Sequence, residues 1–171
     1  MTQIDRRRFL GAAGAGAAAL GAPSQNRIRV GIIGIQHSHL TAKLEAMYSN
    51  PNYEVVAVSE PDESTRGARG RLPLLQRLRW TSIDEMLADK TLDLIVFEGE
   101  VRDAVPFGTR VLEAGKHLHL EKPPINKMEP FLELVDLARR RDHKLQLGYI
   151  WRFHEGARSK PIARVGWAKC S

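Results

Sequence analysis

From Arg27 onward, short apolar runs alternate with helix-like stretches, and this alternation constrains the fold more than any other feature of the chain. Ile28-Arg29-Val30-Gly31-Ile32-Ile33-Gly34 is apolar and closes on glycine, as a buried strand does. Leu40, Leu44, Met47 and Tyr48 then recur at spacings that share one helical face, and Asn50-Pro51-Asn52 ends that helix. Glu54–Ser59 is rich in β-branched residues and strand-like. Gly67, Gly70 and Pro73 argue against one continuous helix over 67–79. Ser82, with Glu85 three residues on, is a capping box opening a short helix through Leu87. Leu92–Phe97 reads as another buried strand, followed by a helix over Ala104–Ala114 that stops at Gly115. Lys116–Leu120 is a strand. Asn126, Glu129 and Pro130 open a helix whose Phe131, Leu134, Val135 and Ala138 share a face, and Lys144–Tyr149 is the last strand.

Parallel strands need helix-sized crossovers, so this order predicts a doubly wound α/β domain, Rossmann-like, over residues 27–154. In such sheets ligands bind beyond the carboxyl ends of the strands. The chain has 171 residues, room for one ordinary domain or a little more, and its single cysteine, Cys170, excludes an internal disulfide framework. The formal net charge of +6 would suggest nucleic acid, but residues 1–22 carry +2 and residues 155–171 carry +3, leaving +1 on everything between. A nucleic-acid partner requires a basic face on the folded domain, and that is excluded here.

Residues 1–26 read as an address rather than as part of the fold. Asp5-Arg6-Arg7-Arg8-Phe9-Leu10 precedes an alanine and glycine run, Gly11–Ala22, of 12 residues, short of the roughly 20 that span a bilayer. The arginines directly before Phe9-Leu10 are similar to a twin-arginine export signal, which places the mature protein in the periplasm or outside the cell.

The turn after the first strand reads Gly34-Ile35-Gln36-His37-Ser38-His39. A dinucleotide-binding turn carries G-x-G-x-x-G, with glycines for the tight turn, for the pyrophosphate's approach and for helix packing. Only Gly34 is present; Gln36 and His39 hold the other two places, so phosphate recognition would fall to this altered turn and the helix N-terminus behind it. Glu60 ends the second strand, where a carboxylate accepts hydrogen bonds from the adenosine ribose and repels a 2′-phosphate, so NAD is expected over NADP.

The segment Glu113-Ala114-Gly115-Lys116-His117-Leu118-His119-Leu120-Glu121-Lys122-Pro123-Pro124 closely resembles the nucleotide-binding half of the glucose–fructose oxidoreductase, inositol dehydrogenase and rhizopine-catabolism (Gfo/Idh/MocA) family. The resemblance extends over about Arg27 to His154 and includes Leu147-Gly148-Tyr149-Ile150-Trp151-Arg152-Phe153. It implies an NAD(P)-dependent oxidoreductase acting on hydroxyl groups of sugars, polyols and related compounds. By this resemblance Lys122 is the catalytic lysine beside the nicotinamide and the reacting hydroxyl, and Pro123 follows it through a rigid bond, cis in the family. Glu121 orients the lysine or the cofactor ribose. Gly34, Gln36, His37, Ser38, His39, Glu60, Glu121, Lys122 and Pro123 then make the cofactor site.

Three departures qualify this expectation. The glycine turn is altered. Glu98-Gly99-Glu100 stands where the family has a small-Pro-polar stretch, so two carboxylates are expected to face the cofactor phosphates. Family enzymes also continue into a substrate-binding domain, which is expected to be absent here, with the irregular, basic residues 155–171 as its interrupted start. A homo-oligomer is expected only with that domain. The alternatives are a non-catalytic dinucleotide-binding fragment or pseudoenzyme, and an NAD-dependent glycosidase. His37-x-His39 and His117-x-His119 each lack a third ligand in sequence, so no metal is expected.

Overall fold

A computed structural model describes residues 27–124 and 127–149. The elements run β1 (Ile28–Ile33), α1 (Leu40–Ser49), β2 (Tyr53–Ser59), α2 (Glu63–Arg69), a 3-10 turn (Pro73–Leu75), β3 (Arg79–Trp80), α3 (Ile83–Ala88), β4 (Leu94–Phe97), α4 (Val101–Glu113), β5 (His117–Leu120), α5 (Met128–Arg140) and β6 (Leu145–Leu147). The six strands form one sheet in the order β3-β2-β1-β4-β5-β6, every pair parallel. The doubly wound Rossmann-like α/β arrangement expected from the alternation is the one observed. Strand order reverses between β1 and β4, so the chain leaves their carboxyl ends in opposite directions and opens a crevice there.

Strand alternation builds two cores. On one face Val30, Ile32, Val58 and Val96 meet Leu40 and Leu44 of α1. On the other, Ile33, Ile95, Phe97, Leu118 and Leu120 meet Met86 of α3, Val111 and Leu112 of α4, and Leu134 and Ala138 of α5. In β5 the leucines serve the second core, which turns His117 and His119 to the α1 face.

Local chemistry sets the boundaries. The capping box forms as read: Ser82 Oγ accepts the Glu85 amide and the Glu85 carboxylate accepts the Ser82 amide. Those contacts, the Ser82 amide foremost and the Thr81 hydroxyl with it, hold the Glu85 carboxyl down at about 2. Gly115 sits at φ +77 after α4, a left-handed stop that a side chain would strain. Lys116, in the Gly-Lys-His turn, is buried, and its ammonium donates to the carbonyls of Asp89 (2.6 Å) and Leu92 (3.2 Å). Burial lowers its pKa.

Two boundaries differ from the sequence reading. α4 begins at Val101, three residues before Ala104, because the Asp103 amide finds the Glu100 carbonyl at 3.0 Å and starts the turn early. α5 takes Lys127 as its N-cap, in extended backbone and with no side-chain cap, while Asn126 lies outside the described residues. Gly67 falls inside α2, but the helix ends at Arg69 and a separate 3-10 turn starts at Pro73, so the region is broken as expected. The export-signal residues 1–26, the motif residues 150–154, and the tail 155–171 with Cys170 also lie outside the described residues. No described helix is long and apolar enough to cross a membrane.

Candidate functional site

The crevice between β1 and β4 is a cavity of about 150 Å³. Gly34 and Gln36 border it from β1, Glu60 and Asp62 from β2, Gly99 and Glu100 from β4. Gly34 holds φ +84, and a Cβ there would lie against the Gly99 amide nitrogen, 2.7 Å from Gly99 Cα and 2.8 Å from the Glu98 carbonyl carbon. The first glycine of the turn is therefore demanded by the chain leaving β4, with no ligand needed to explain it.

Glu60 binds the turn directly. Its Oε2 accepts the Ile35 amide at 2.8 Å and its Oε1 accepts the Asp62 amide at 2.9 Å. The carboxylate thus ends β2 facing the crevice, with lone pairs left over for further donors. The His37 amide donates to the Glu98 carbonyl (3.0 Å) and the His39 amide to His37 Nδ1 (3.2 Å). Among the described residues the Gln36 and Ser38 amides have no protein acceptor, and both residues are exposed. The Gln36 carbonyl accepts from Arg69, which brings a cation from α2 to the mouth of the crevice.

The side chains at the other altered positions go elsewhere. His37 and His39 stack edge to face, ring centroids 4.7 Å apart, and point toward Glu121 at 3.8 Å and 3.4 Å. This explains how a histidine stands where helix packing usually demands glycine: its ring leaves the α1–sheet contact and lies over the strand ends. Glu98 also departs from expectation. It does not face the crevice; it is fully buried on the α1 side, ion-paired with Lys43, because it continues the alternation of Val96. Of these two carboxylates Glu100 lines the crevice, and it is paired with Arg102 at 2.7 Å.

Glu98, Glu121, His119, His37 and His39 therefore surround the Lys43 ammonium. Lys43 contacts Glu98 Oε1 and lies 2.6 Å from Glu121 Oε1. Burial raises the Glu98 pKa against the pull of Lys43. Burial also works to raise that of Glu121, but Lys43 and the Lys122 amide outweigh it and hold the carboxyl at about 2. Burial, with Lys43 beside it, pushes His119 down to about 4, and burial lowers His37. The sequence reading missed Lys43, although it lies four residues after His39 and so on the same side of the helix. His117 does not join the group. Its Nδ1 accepts the Lys144 amide and its ring meets His143.

Glu121 Oε2 accepts the Lys122 amide at 2.8 Å, and a Cβ on Gly148 would collide with Glu121 Oε1 at 2.6 Å. The Leu-Gly-Tyr segment after β6 is thus the wall that lets this carboxylate in. The bond from Lys122 to Pro123 is cis, and the half-buried Lys122 ammonium makes no ion pair among the described residues. A dinucleotide crevice, a carboxylate ending β2 and a Glu-Lys-cis-Pro turn after β5 now stand in one domain. A family model described as an oxidoreductase family with NAD-binding Rossmann fold matches residues 28–149.

The chain belongs to the Gfo/Idh/MocA family. Among its curated relatives, the uncharacterized oxidoreductase ORF334 of Rhizobium meliloti is 30% identical over 128 residues, 74% of this chain and 38% of the relative. The dTDP-3,4-didehydro-2,6-dideoxy-alpha-D-glucose 3-reductase of Streptomyces violaceoruber is 28% identical over 127 residues, 74% of this chain and 36% of the reductase. Among solved structures, GenD2 from gentamicin A biosynthesis, in complex with NAD, has TM-score 0.62 at 25% identity and covers 71% of this chain and 34% of its own. KijD10, a 3-ketoreductase of Actinomadura kijaniata in complex with NADP and TDP-benzene, has TM-score 0.68 at 23% identity, over 77% of this chain and 41% of its own. The chain spans a little over a third of the length of these curated relatives. As a Gfo/Idh/MocA domain it is the nicotinamide dinucleotide-binding part of the oxidoreductase fold.

Proposed function

We propose that this domain binds NAD in preference to NADP and serves hydride transfer to or from a hydroxyl group of a sugar-like substrate. The observation that carries the preference is Glu60, which ends β2 at the crevice with its carboxylate anchored on the Ile35 and Asp62 amides. An acceptor fixed there suits two ribose hydroxyls and repels a 2′-phosphate. The crevice fits the coenzyme: the Gln36 and Ser38 amides, unpartnered among the described residues, offer donors to a pyrophosphate, and Arg102, paired with Glu100, offsets the charge of that carboxylate.

When bound, the nicotinamide supplies the hydride donor or acceptor. Lys122 sits beyond the carboxyl end of β5, where its ammonium polarises the substrate oxygen and exchanges a proton with it. Glu121 fixes the Lys122 backbone through the amide contact and acts by positioning. The sugar-like substrate class is supported by the dTDP-sugar reductase among the relatives.

The test is calorimetric titration of the full-length protein with both coenzymes, then a sugar and polyol panel for turnover. Tighter binding of NAD, with turnover lost and affinity kept in Lys122→Met, is expected. Binding without turnover on any substrate would leave a dinucleotide-binding pseudoenzyme, and unchanged turnover in Lys122→Met would remove the lysine from catalysis. We also infer export through the twin-arginine route, supported by Arg6-Arg7-Arg8-Phe9-Leu10. Replacing Arg7 and Arg8 together by lysine should retain the protein in the cytoplasm, and unaltered fractionation would refute this.

A further inference from the structure

We propose that Glu98, His119 and Glu121 form a binding site for one divalent transition-metal cation. The parallel register pairs Val96 with His119 and Phe97 with Leu120, so Glu98 and Glu121 emerge side by side just past the strand ends. Strand alternation then turns His119 to the same face as Glu121, two residues on. One atom of each is buried without a hydrogen-bond partner among the described residues: Glu98 Oε2, His119 Nε2 and Glu121 Oε1. Glu98 and Glu121 are 0% and 6% exposed. A buried polar atom without a hydrogen bond is unfavourable, and Glu98 Oε2 and His119 Nε2, with Glu121 Oε1 beside them held by the Lys43 charge alone, share one remedy, a cation that accepts lone pairs from all of them.

Lys43 is an incomplete remedy. Its ammonium touches Glu98 Oε1 and comes to 2.6 Å from Glu121 Oε1, off the hydrogen-bonding direction, and reaches neither Glu98 Oε2 nor His119. One positive charge also offsets only one of the two carboxylates, whereas a divalent ion offsets both. One ligand atom from each of the three residues lies within 4.8 Å of the other two. A tetrahedral ion with bonds of about 2.1 Å would draw them to about 3.4 Å, within the reach of side-chain rotation. One imidazole nitrogen with two carboxylates selects zinc, manganese or iron over calcium or magnesium, which take oxygen alone. His39, whose Nδ1 is 3.4 Å from Glu121 Oε1, can complete the set, and a cavity of about 280 Å³ beside Lys43, Val96, His119 and Gln146 gives entry. The spacing of the histidine pairs cannot reveal this site, since its carboxylates come from two different strand ends.

The test uses the full chain without an affinity tag, stripped with chelator and titrated with Co²⁺ and then Zn²⁺. One equivalent of Co²⁺ with visible d–d bands, displaced by Zn²⁺, is expected. His119→Gln and Glu98→Gln should each weaken binding about tenfold or more. Lys43→Met is expected to melt lower than the parent in chelator and to regain its loss with Zn²⁺, because the ion replaces the missing ammonium. This variant keeps the proposal decidable if the ligand variants fail to fold. Absence of saturable binding at about 100 µM, unaltered affinity in folded His119→Gln, or no Zn²⁺ rescue of Lys43→Met overturns it. Glu121 also serves Lys122, so the ligand variants are confined to Glu98 and His119, which do not line the coenzyme crevice; NAD titration of the same samples reads that crevice, and either reading can fail without the other.

Discussion

Gly34→Ala separates backbone crowding from ligand recognition. At φ +84 a residue with a Cβ costs about 1–2 kcal/mol relative to glycine. The new methyl would also meet Gly99 Cα at 2.7 Å and the Glu98 carbonyl carbon at 2.8 Å. Both are backbone, so relief requires moving the chain after β4, and overpacking of that kind costs about 1–3 kcal/mol. The two together, with partial relaxation, destabilise by about 2–4 kcal/mol. For a chain this size that lowers the melting midpoint by roughly 5–15 °C. Gly67→Ala is the internal control: it lies exposed in α2, nothing stands within 4 Å of its would-be Cβ, and about 0.5–1 kcal/mol of stabilisation is expected. Urea unfolding followed by circular dichroism, with no coenzyme present, measures both. A Gly34→Ala protein within about 0.5 kcal/mol of the parent would refute the crowding argument.

Glu60→Gln keeps the shape at the end of β2 but removes the charge; NAD affinity should fall about five- to tenfold, in line with the loss of a charged acceptor, while the NADP to NAD affinity ratio rises. An unchanged ratio in calorimetry would show that the carboxylate does not choose the coenzyme. The lowered Glu85 pKa predicts a pH dependence. Its stabilisation is present above about 4.5, the unfolded value, and is lost as pH falls toward about 2, so stability there drops with acid. Glu85→Ala should flatten that part of the stability–pH curve, and an unaltered curve would refute the assignment.

Much of this domain was readable from local sequence chemistry. Apolar runs such as Ile28–Ile33, the Ser82 and Glu85 box and the stop at Gly115 are short-range features, each decided within a few residues of its own position. Glu60 was legible for the same reason, as the last residue before a Pro-Asp turn. Helix starts were less so: α4 begins at Val101 behind Glu100, which makes no side-chain cap and so leaves no mark of the start in the sequence.

The chain's pattern alone determined a parallel doubly wound sheet and the place of its crevice, because alternation and crossover length leave few other ways to bury these runs. Tertiary structure decided where charge goes. Glu98 reads in sequence as a carboxylate aimed at the coenzyme, yet the sheet turns it to α1 and pairs it with Lys43, 55 residues away. Lys43, His119 and Glu121 share the same history. No local spacing records such a meeting, since it arises only when two strand ends and a helix are brought together, and burial then fixes which protons and charges each group can keep.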